Sequence, residues 1–392
     1  MSHTADQRSP ILLAHPDAIP TLEGDPSPGV AWHYGDPLGE QRAAGRGAVV
    51  IDRSDRAVIE VAGAERLSWL HTICSQHLTE LADRRSAEAL SLDGNGRIED
   101  HFVLTDVDEI AWVDTEHARG AALTDFLTKM IFWAEVDVAA RPDLAVLTLI
   151  GPQVRTGPIA ELLEIPADAP VYAAAELPEM HHDEEPLGFW RIMPPTGEDR
   201  ALPVVDLVVP ESELRQWWTE LTEAGATPAG MWTFDALRVA AARPRLGLDV
   251  DERAIPHEAD WIGGPAEFGA VHLDKGCYRG QETVARVANL GRPPRRLVLL
   301  HLDGSAAGRP STGDAVTAGG RAVGRVGTVI DHHELGPIAL ALIKRSVPVD
   351  AELLAGPADD PAAAVAARID ASYYTADDQV PPGRAAQQRL RS

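Results

Sequence analysis

The stretch KGCYRGQETVARVANLGRPPRRL, residues 275–297, holds the point where the chain changes architecture. Gly276 and Gly280 free the backbone for positive φ or a close approach. The spacing after Gly280 predicts a helix over residues 281–288. Gly291-Arg292-Pro293-Pro294 then breaks it. Beyond the break, RRLVLLHLDG (295–304), RAVGRVGTVID (321–331) and PIALALIKR (337–345) read as short strands between Gly-rich turns. That pattern predicts a small antiparallel barrel or sandwich.

Upstream, strands and helices mix. AVVIDR (48–53) and AVIEVA (57–62) read as two short strands joined at Ser54-Asp55. Leu67, Leu70 and Ile73 recur at helical spacing, as do Leu123, Phe126, Leu127 and Met130, and Leu214, Trp217, Trp218 and Leu221. A further helix runs from Phe234 to Ala242 and stops before Pro244. SAEALSLD and RIEDHFVL flank Gly94-Asn95-Gly96 as a hairpin, and DLAVLTLIG (143–151) reads as a buried strand. The fold class expected is α+β followed by all-β. Six prolines and little periodicity make residues 1–44 an extended arm, and the polar chain from 373 to 392 a disordered tail.

The 392 residues allow two or three domains. Lys plus Arg number 35 against 60 Asp plus Glu, a net charge of −25, which disfavours general binding to nucleic acid or anionic membranes. Apolar runs fall short of a membrane helix, and the N-terminus lacks a signal-peptide pattern, so a cytoplasmic protein is expected. The acidic balance also argues against a mitochondrial transit segment. Two cysteines, Cys74 and Cys277, exclude a disulfide scaffold.

Three constellations carry chemistry. Cys277 lies between Lys275 and Arg279 before a helix start, a setting that favours thiolate and so a soft nucleophile or metal ligand. The alternative is a buried packing cysteine, which is the reading for Cys74 beside Ile73. Residues 275–296 also hold six cations against Glu282 alone, and Arg238, Arg243 and Arg245 form a second basic cluster. Such islands suit a small polyanion, or pair with acids elsewhere. Third, strand parity places Ile98, Asp100, Phe102 and Leu104 on one face of RIEDHFVL. Asp100 among apolar side chains needs a partner, either a ligand N–H or protein donors. His181-His182-Asp183-Glu184-Glu185 and His332-His333-Glu334 read as solvated loops.

KGCYRGQETVARVANLGRPPRRL resembles the signature of the YgfZ family, K-G-C-[FY]-x-G-Q-E. DALRVAAARPRLGLDVDERAIPHEA upstream and the barrel strands downstream are similar to the same family, so the resemblance covers residues 45–370. YgfZ proteins are relatives of the folate-dependent T-protein of glycine cleavage. The resemblance therefore implies two interleaved α+β domains around a central folate pocket (45–290) and a C-terminal antiparallel β-barrel (291–372). It implies binding of tetrahydrofolate or a derivative, and a role in assembly or repair of iron–sulfur clusters. That role would support tRNA-modifying radical enzymes without contact with tRNA.

Carried over residue by residue, Lys275, Gly276, Cys277, Tyr278, Gly280, Gln281 and Glu282 match the signature. The resemblance implies that Cys277 is its functional thiol and a transient cluster ligand shared with a partner. Asp100 matches the strand where the T-protein faces folate with an acidic pair, here Glu99-Asp100. Asp206, in LPVVDLVVP, resembles the acid that reads the pterin edge, although the segment departs from the usual Gly-aromatic-acid pattern. Arg238 matches the Arg of the Leu-Arg helix. The cofactor-binding set implied is thus Asp100, Asp206, Arg238, Lys275, Tyr278, Gln281 and Glu282, with Cys277 and Asp100 carrying the chemistry. The implied partners are reduced folate, iron–sulfur assembly proteins and client enzymes. A tetrahydrofolate-dependent aminomethyl or demethylating transferase, and a folate-sensing module, are the alternative readings.

Overall fold

The computed structural model describes residues 8–178, 188–306 and 308–373. The His181–Glu185 run and nearly all of the expected C-terminal tail lie outside them. In chain order the elements are α1 (Pro10–Ala14), β1 (Ile19–Pro20), β2 (Ala31–His33), α2 (Pro37–Arg46), β3 (Val49–Asp52), β4 (Ala57–Ala62), α3 (Arg66–Ile73), β5 (Arg85–Leu92), β6 (Ile98–Val107), β7 (Ile110–Thr115), α4 (Gly120–Lys129), β8 (Asp137–Ala140), β9 (Leu144–Ile150) and α5 (Gly157–Leu162). There follow β10 (Ala174–Glu176), β11 (Phe189–Thr196), β12 (Leu202–Pro210), α6 (Leu214–Glu223), β13 (Thr227–Ala229), α7 (Met231–Ala240), α8 (Gln281–Leu290), β14 (Arg295–Leu302), β15 (Ala315–Ala318), β16 (Arg321–His332), β17 (Gly336–Lys344), β18 (Leu353–Gly356) and β19 (Val365–Ile369).

The chain divides into two compact units. The first holds Met1–His71, His77–Ala89 and Asp100–Leu237; the second holds Thr72–Gln76, Leu90–Glu99 and the chain from Arg238 onward.

The first unit is built on a six-stranded sheet, β10-β11-β12-β9-β3-β13, in which β9 is buried along its whole length. The near-continuous apolar run of residues 143–151 marks this strand, because a strand covered on both faces has no polar side to display. Val50, Leu147, Leu149, Val205 and Leu207 pack on one face against Leu214, Trp217, Trp218 and Leu221 of α6. Ile11 of α1, fully buried, joins the same core. The expected arm over residues 1–44 is thus corrected in part: Ser9 caps α1, Asp36 caps α2, and both helices begin with Pro at the first turn. The strands β3 and β4 form as read, but they enter different sheets, with β4 in the five-stranded order β5-β6-β7-β4-β8.

In the second unit, β14–β19 close into a six-stranded barrel in which each strand pairs antiparallel with its neighbours. Val298, Leu300, Val326, Ala341 and Ile343 are among the side chains that fill it. A second core joins Leu90, Leu92 and Ile98 to Trp261, Tyr278 and Val284. The His332-His333-Glu334 run is corrected: His332 is buried at the end of β16, and its Nδ1 accepts the N–H groups of Glu334 and Leu335, so it organises the β16–β17 turn. Among the described residues no helix is long and apolar enough to cross a membrane.

Candidate functional site

In the second unit the signature segment is tied down around an exposed thiol. Lys275 is buried, and its Nζ donates to the carbonyls of Cys74 at 2.6 Å and Gln76 at 3.0 Å. Burial lowers its pKa from the ordinary lysine value. The Tyr278 ring lies 5.0 Å from the same Nζ, and burial pushes its phenol up to about 12. Gln281 Nε2 donates to the Lys275 carbonyl at 3.2 Å. Gly280 has φ +84°, and a Cβ there would meet the Asp93 carbonyl at 2.6 Å, so glycine is required twice over. The strap bearing Cys74 is itself stitched in: Ser75 Oγ and Gln76 Nε2 donate to the carbonyls of Ala270 and Gly269.

Cys277 is exposed between these anchors, and α8 begins at Gln281 as the spacing predicts. The cations expected to stabilise its thiolate are engaged: Lys275 as above, and Arg279 in a 2.7 Å pair with Glu99. Glu282 is exposed at the start of α8. Cys74 is buried, and burial pushes its thiol up, as a packing cysteine requires.

In the two basic islands, Arg238 and Arg295 are taken up by internal ion pairs. Arg238 is 4% exposed; its guanidinium binds Asp249 at 2.7 Å, Thr328 Oγ1 at 2.5 Å and the Arg243 carbonyl at 3.2 Å. Arg295 pairs with Asp251 and Glu258. These arginines brace the second unit.

In the first unit, Asp100 is buried on β6 as strand parity requires, and Arg119 meets its Oδ1 through Nε at 2.9 Å and Nη2 at 2.8 Å. Asp206 stands in a row across three strands, opposite Arg191 on β11 and Thr148 on β9. Thr148 Oγ1 donates to its Oδ1 at 2.7 Å, and Arg191 Nη2 to its Oδ2 at 3.0 Å. Arg191, 1% exposed, also binds Asp114, which takes Arg56 on its other oxygen. Burial opposes the charged form of Asp114, but Arg191 and Arg56 outweigh it and hold the carboxyl well below the usual range.

The sequence reading missed Arg191, Arg119 and Arg53. The lone Arg in the apolar strand FWRIM is the signal for the first; the other two sit in turns that carry none. Asp100 and Asp206 thus belong to the first unit, while Arg238 and the Lys275–Glu282 segment belong to the second.

Residues 32–262 match the family model of the GCVT N-terminal domain, and residues 295–371 match that of the CAF17 C-terminal beta-barrel domain. The chain belongs to the GCVT family, in its YgfZ/CAF17 branch. The aminomethyltransferase of Pseudomonas syringae pv. tomato is 30% identical over 290 residues, spanning 66% of this chain and 77% of that protein. The aminomethyltransferase of Alcanivorax borkumensis is 28% identical over 234 residues, spanning 58% of this chain and 61% of the relative. The glycine cleavage system aminomethyltransferase T from Bartonella henselae superposes with a TM-score of 0.77 at 18% identity, covering 93% of this chain and 96% of that one. This GCVT/CAF17 chain therefore has the T-protein-like fold, mixed α+β followed by a closed antiparallel barrel.

Proposed function

We propose that this protein binds a reduced folate and uses the Cys277 thiol in assembly or repair of iron–sulfur clusters in the cytoplasm. The observation that carries the proposal is the signature segment itself, in which Lys275, Tyr278 and Gln281 are fastened to the fold while Cys277 is presented to solvent. A buried cysteine packs; an exposed one in a fixed loop is available to ligate or exchange.

The donor set supports a pteridine ligand. Asp100 and Asp206 are buried carboxylates, and a pterin's amino group and ring N–H need acceptors. Arg53 and Thr196 add buried donors with no protein acceptor. The folate supplies a one-carbon carrier; Asp100, held by Arg119, orients its donor edge. Lys275, Gln281 and Tyr278 act as positioning residues for the Cys277 loop, and Glu282 is exposed in the first turn of α8. Among the described residues no three His, Cys, Asp or Glu side chains converge as metal ligands. A cluster at Cys277 would thus draw its remaining thiolates from a partner or a free thiol.

The test is a strain carrying Cys277→Ser at the native locus. A soluble [4Fe–4S] dehydratase is expected to lose activity at unchanged abundance, with the variant protein folded. Full dehydratase activity would remove the thiol from this role. A folate-dependent transferase is the second reading, favoured by the 30% identity to an aminomethyltransferase. It predicts methylenetetrahydrofolate from tetrahydrofolate and an aminomethyl or N-methyl donor, with loss in Asp100→Asn.

A further inference from the structure

Arg53 follows β3 in the first unit and is 7% exposed. Its guanidinium stacks on the Phe234 ring, 4.0 Å from the centroid. Its Nε is buried and has no hydrogen-bond partner among the described residues. Asp206, Glu116 and Asp55 attract it only through space, while Arg56 repels it. Arg191 and Arg56 of the same interior are differently placed, each donating to two protein acceptors or more.

A buried charge without hydrogen bonds is costly, and folds do not ordinarily keep one without use. A second group points the same way. Thr196 Oγ1 is buried without a hydrogen-bond partner. The Gly197 N–H donates to the Leu237 carbonyl at 3.0 Å, which fixes Thr196 beside α7, one helical turn from Phe234. The first unit thus holds a flat aromatic-backed guanidinium and a hydroxyl, both awaiting an acceptor. Asp206, on β12 two strands from β3 in the same sheet, presents the opposite polarity.

We propose that Arg53, backed by Phe234, is a specificity-determining residue that donates to the ring carbonyl oxygen of a bound pteridine. The proposal rests on the folate reading above and extends it. Carboxylates take the donor edge of the ring, and Arg53 takes its acceptor edge. A planar fork on an aromatic face suits a planar heterocycle. A ligand in which an amino group replaces the ring carbonyl would turn two donors against each other.

The experiment titrates the full-length protein anaerobically with tetrahydrofolate and with its 4-amino analogue, tetrahydroaminopterin. The wild type is expected to favour the 4-oxo ligand by about ten- to a hundredfold, the scale of one hydrogen bond to a charged group. In Arg53→Gln that preference collapses toward unity; in Arg53→Lys it is retained in part. Melting of the ligand-free protein gives a second readout, because Arg53→Met removes an unsatisfied charge and leaves the melting temperature unchanged or raised. Unchanged discrimination in Arg53→Gln, with tetrahydrofolate still bound, overturns this proposal and leaves the folate reading standing. A marked fall in melting temperature for Arg53→Met together with unchanged discrimination assigns Arg53 to the fold alone. A wild type that binds neither ligand overturns both readings.

Discussion

Arg191 is the residue on which the interior charge of the first unit balances. It joins Asp206 of its own sheet to Asp114 of β7, and Asp114 is held in turn by Arg56. Pairs of this kind need not add stability over an apolar core, but removing one partner leaves the other charge stranded. Arg191→Met is therefore expected to destabilise the protein by about 3–5 kcal/mol, read as a lower urea midpoint. The pH dependence follows from the same geometry. Asp114 has a depressed folded-state pKa. Its contribution is present above the unfolded value of about 3.9 and is lost as pH falls through the lower folded value. Arg191→Met removes one cause of that depression, so acid unfolding should begin at higher pH than in the wild type. An unchanged urea midpoint and acid limb would show that Asp114 and Asp206 are satisfied without Arg191.

At the scale of elements, α1 is the informative case. It is five residues long, too short for periodicity to reveal, and it lies in a proline-rich stretch. It nevertheless inserts Ile11 into the core beside α6, and the Ser9 hydroxyl donates to Asp52 at the end of β3. Ile11→Ala is expected to cost about 2–5 kcal/mol, the range for deleting a buried aliphatic side chain, measured by thermal or urea unfolding. A loss below about 0.5 kcal/mol, the range of surface substitutions, would mean the segment is draped rather than docked. The longer elements were legible because local pattern and burial agree. DGNGR closes the β5–β6 hairpin, with the Asp93 carboxylate taking the N–H groups of Asn95 and Arg97. The run at 143–151 becomes β9, and the barrel strands alternate between Gly-rich turns. Partner choice was not legible. The separation of β3 and β4 into two sheets is a long-range outcome. Parity buried Asp100, yet its partner Arg119 comes from a turn beyond β7. The arginine islands looked like a polyanion site because their acids, Asp249, Asp251 and Glu258, approach only in the fold.

The whole molecule sets the last expectation, which concerns nucleic acid. The proposed role in cluster assembly, which the family resemblance extends to tRNA-modifying enzymes, invites the view that the protein holds tRNA. Its charge opposes this: 35 cations face 60 anions. The densest basic segments are also partly spent inside, with Arg238 and Arg295 in ion pairs and Arg279 on Glu99. Binding to RNA draws on cations free to displace counterions, and its salt dependence reports how many do so. Nor do the exposed aromatics Phe132 and Trp133 change the balance, because stacking on single strands works together with a basic groove. The full-length protein is therefore expected to retain no tRNA in filter binding at about 0.15 M salt, where nonspecific affinities of basic proteins are about 10⁻⁴–10⁻⁶ M. Loss of tRNA modification in the Cys277→Ser strain should then appear only for enzymes that carry iron–sulfur clusters, with cluster-free modifications in the same tRNA intact. Submicromolar binding that weakens steeply with salt would place tRNA on the protein itself. Equal loss of cluster-free modifications would point the same way, because a defect in cluster supply cannot reach an enzyme that holds no cluster.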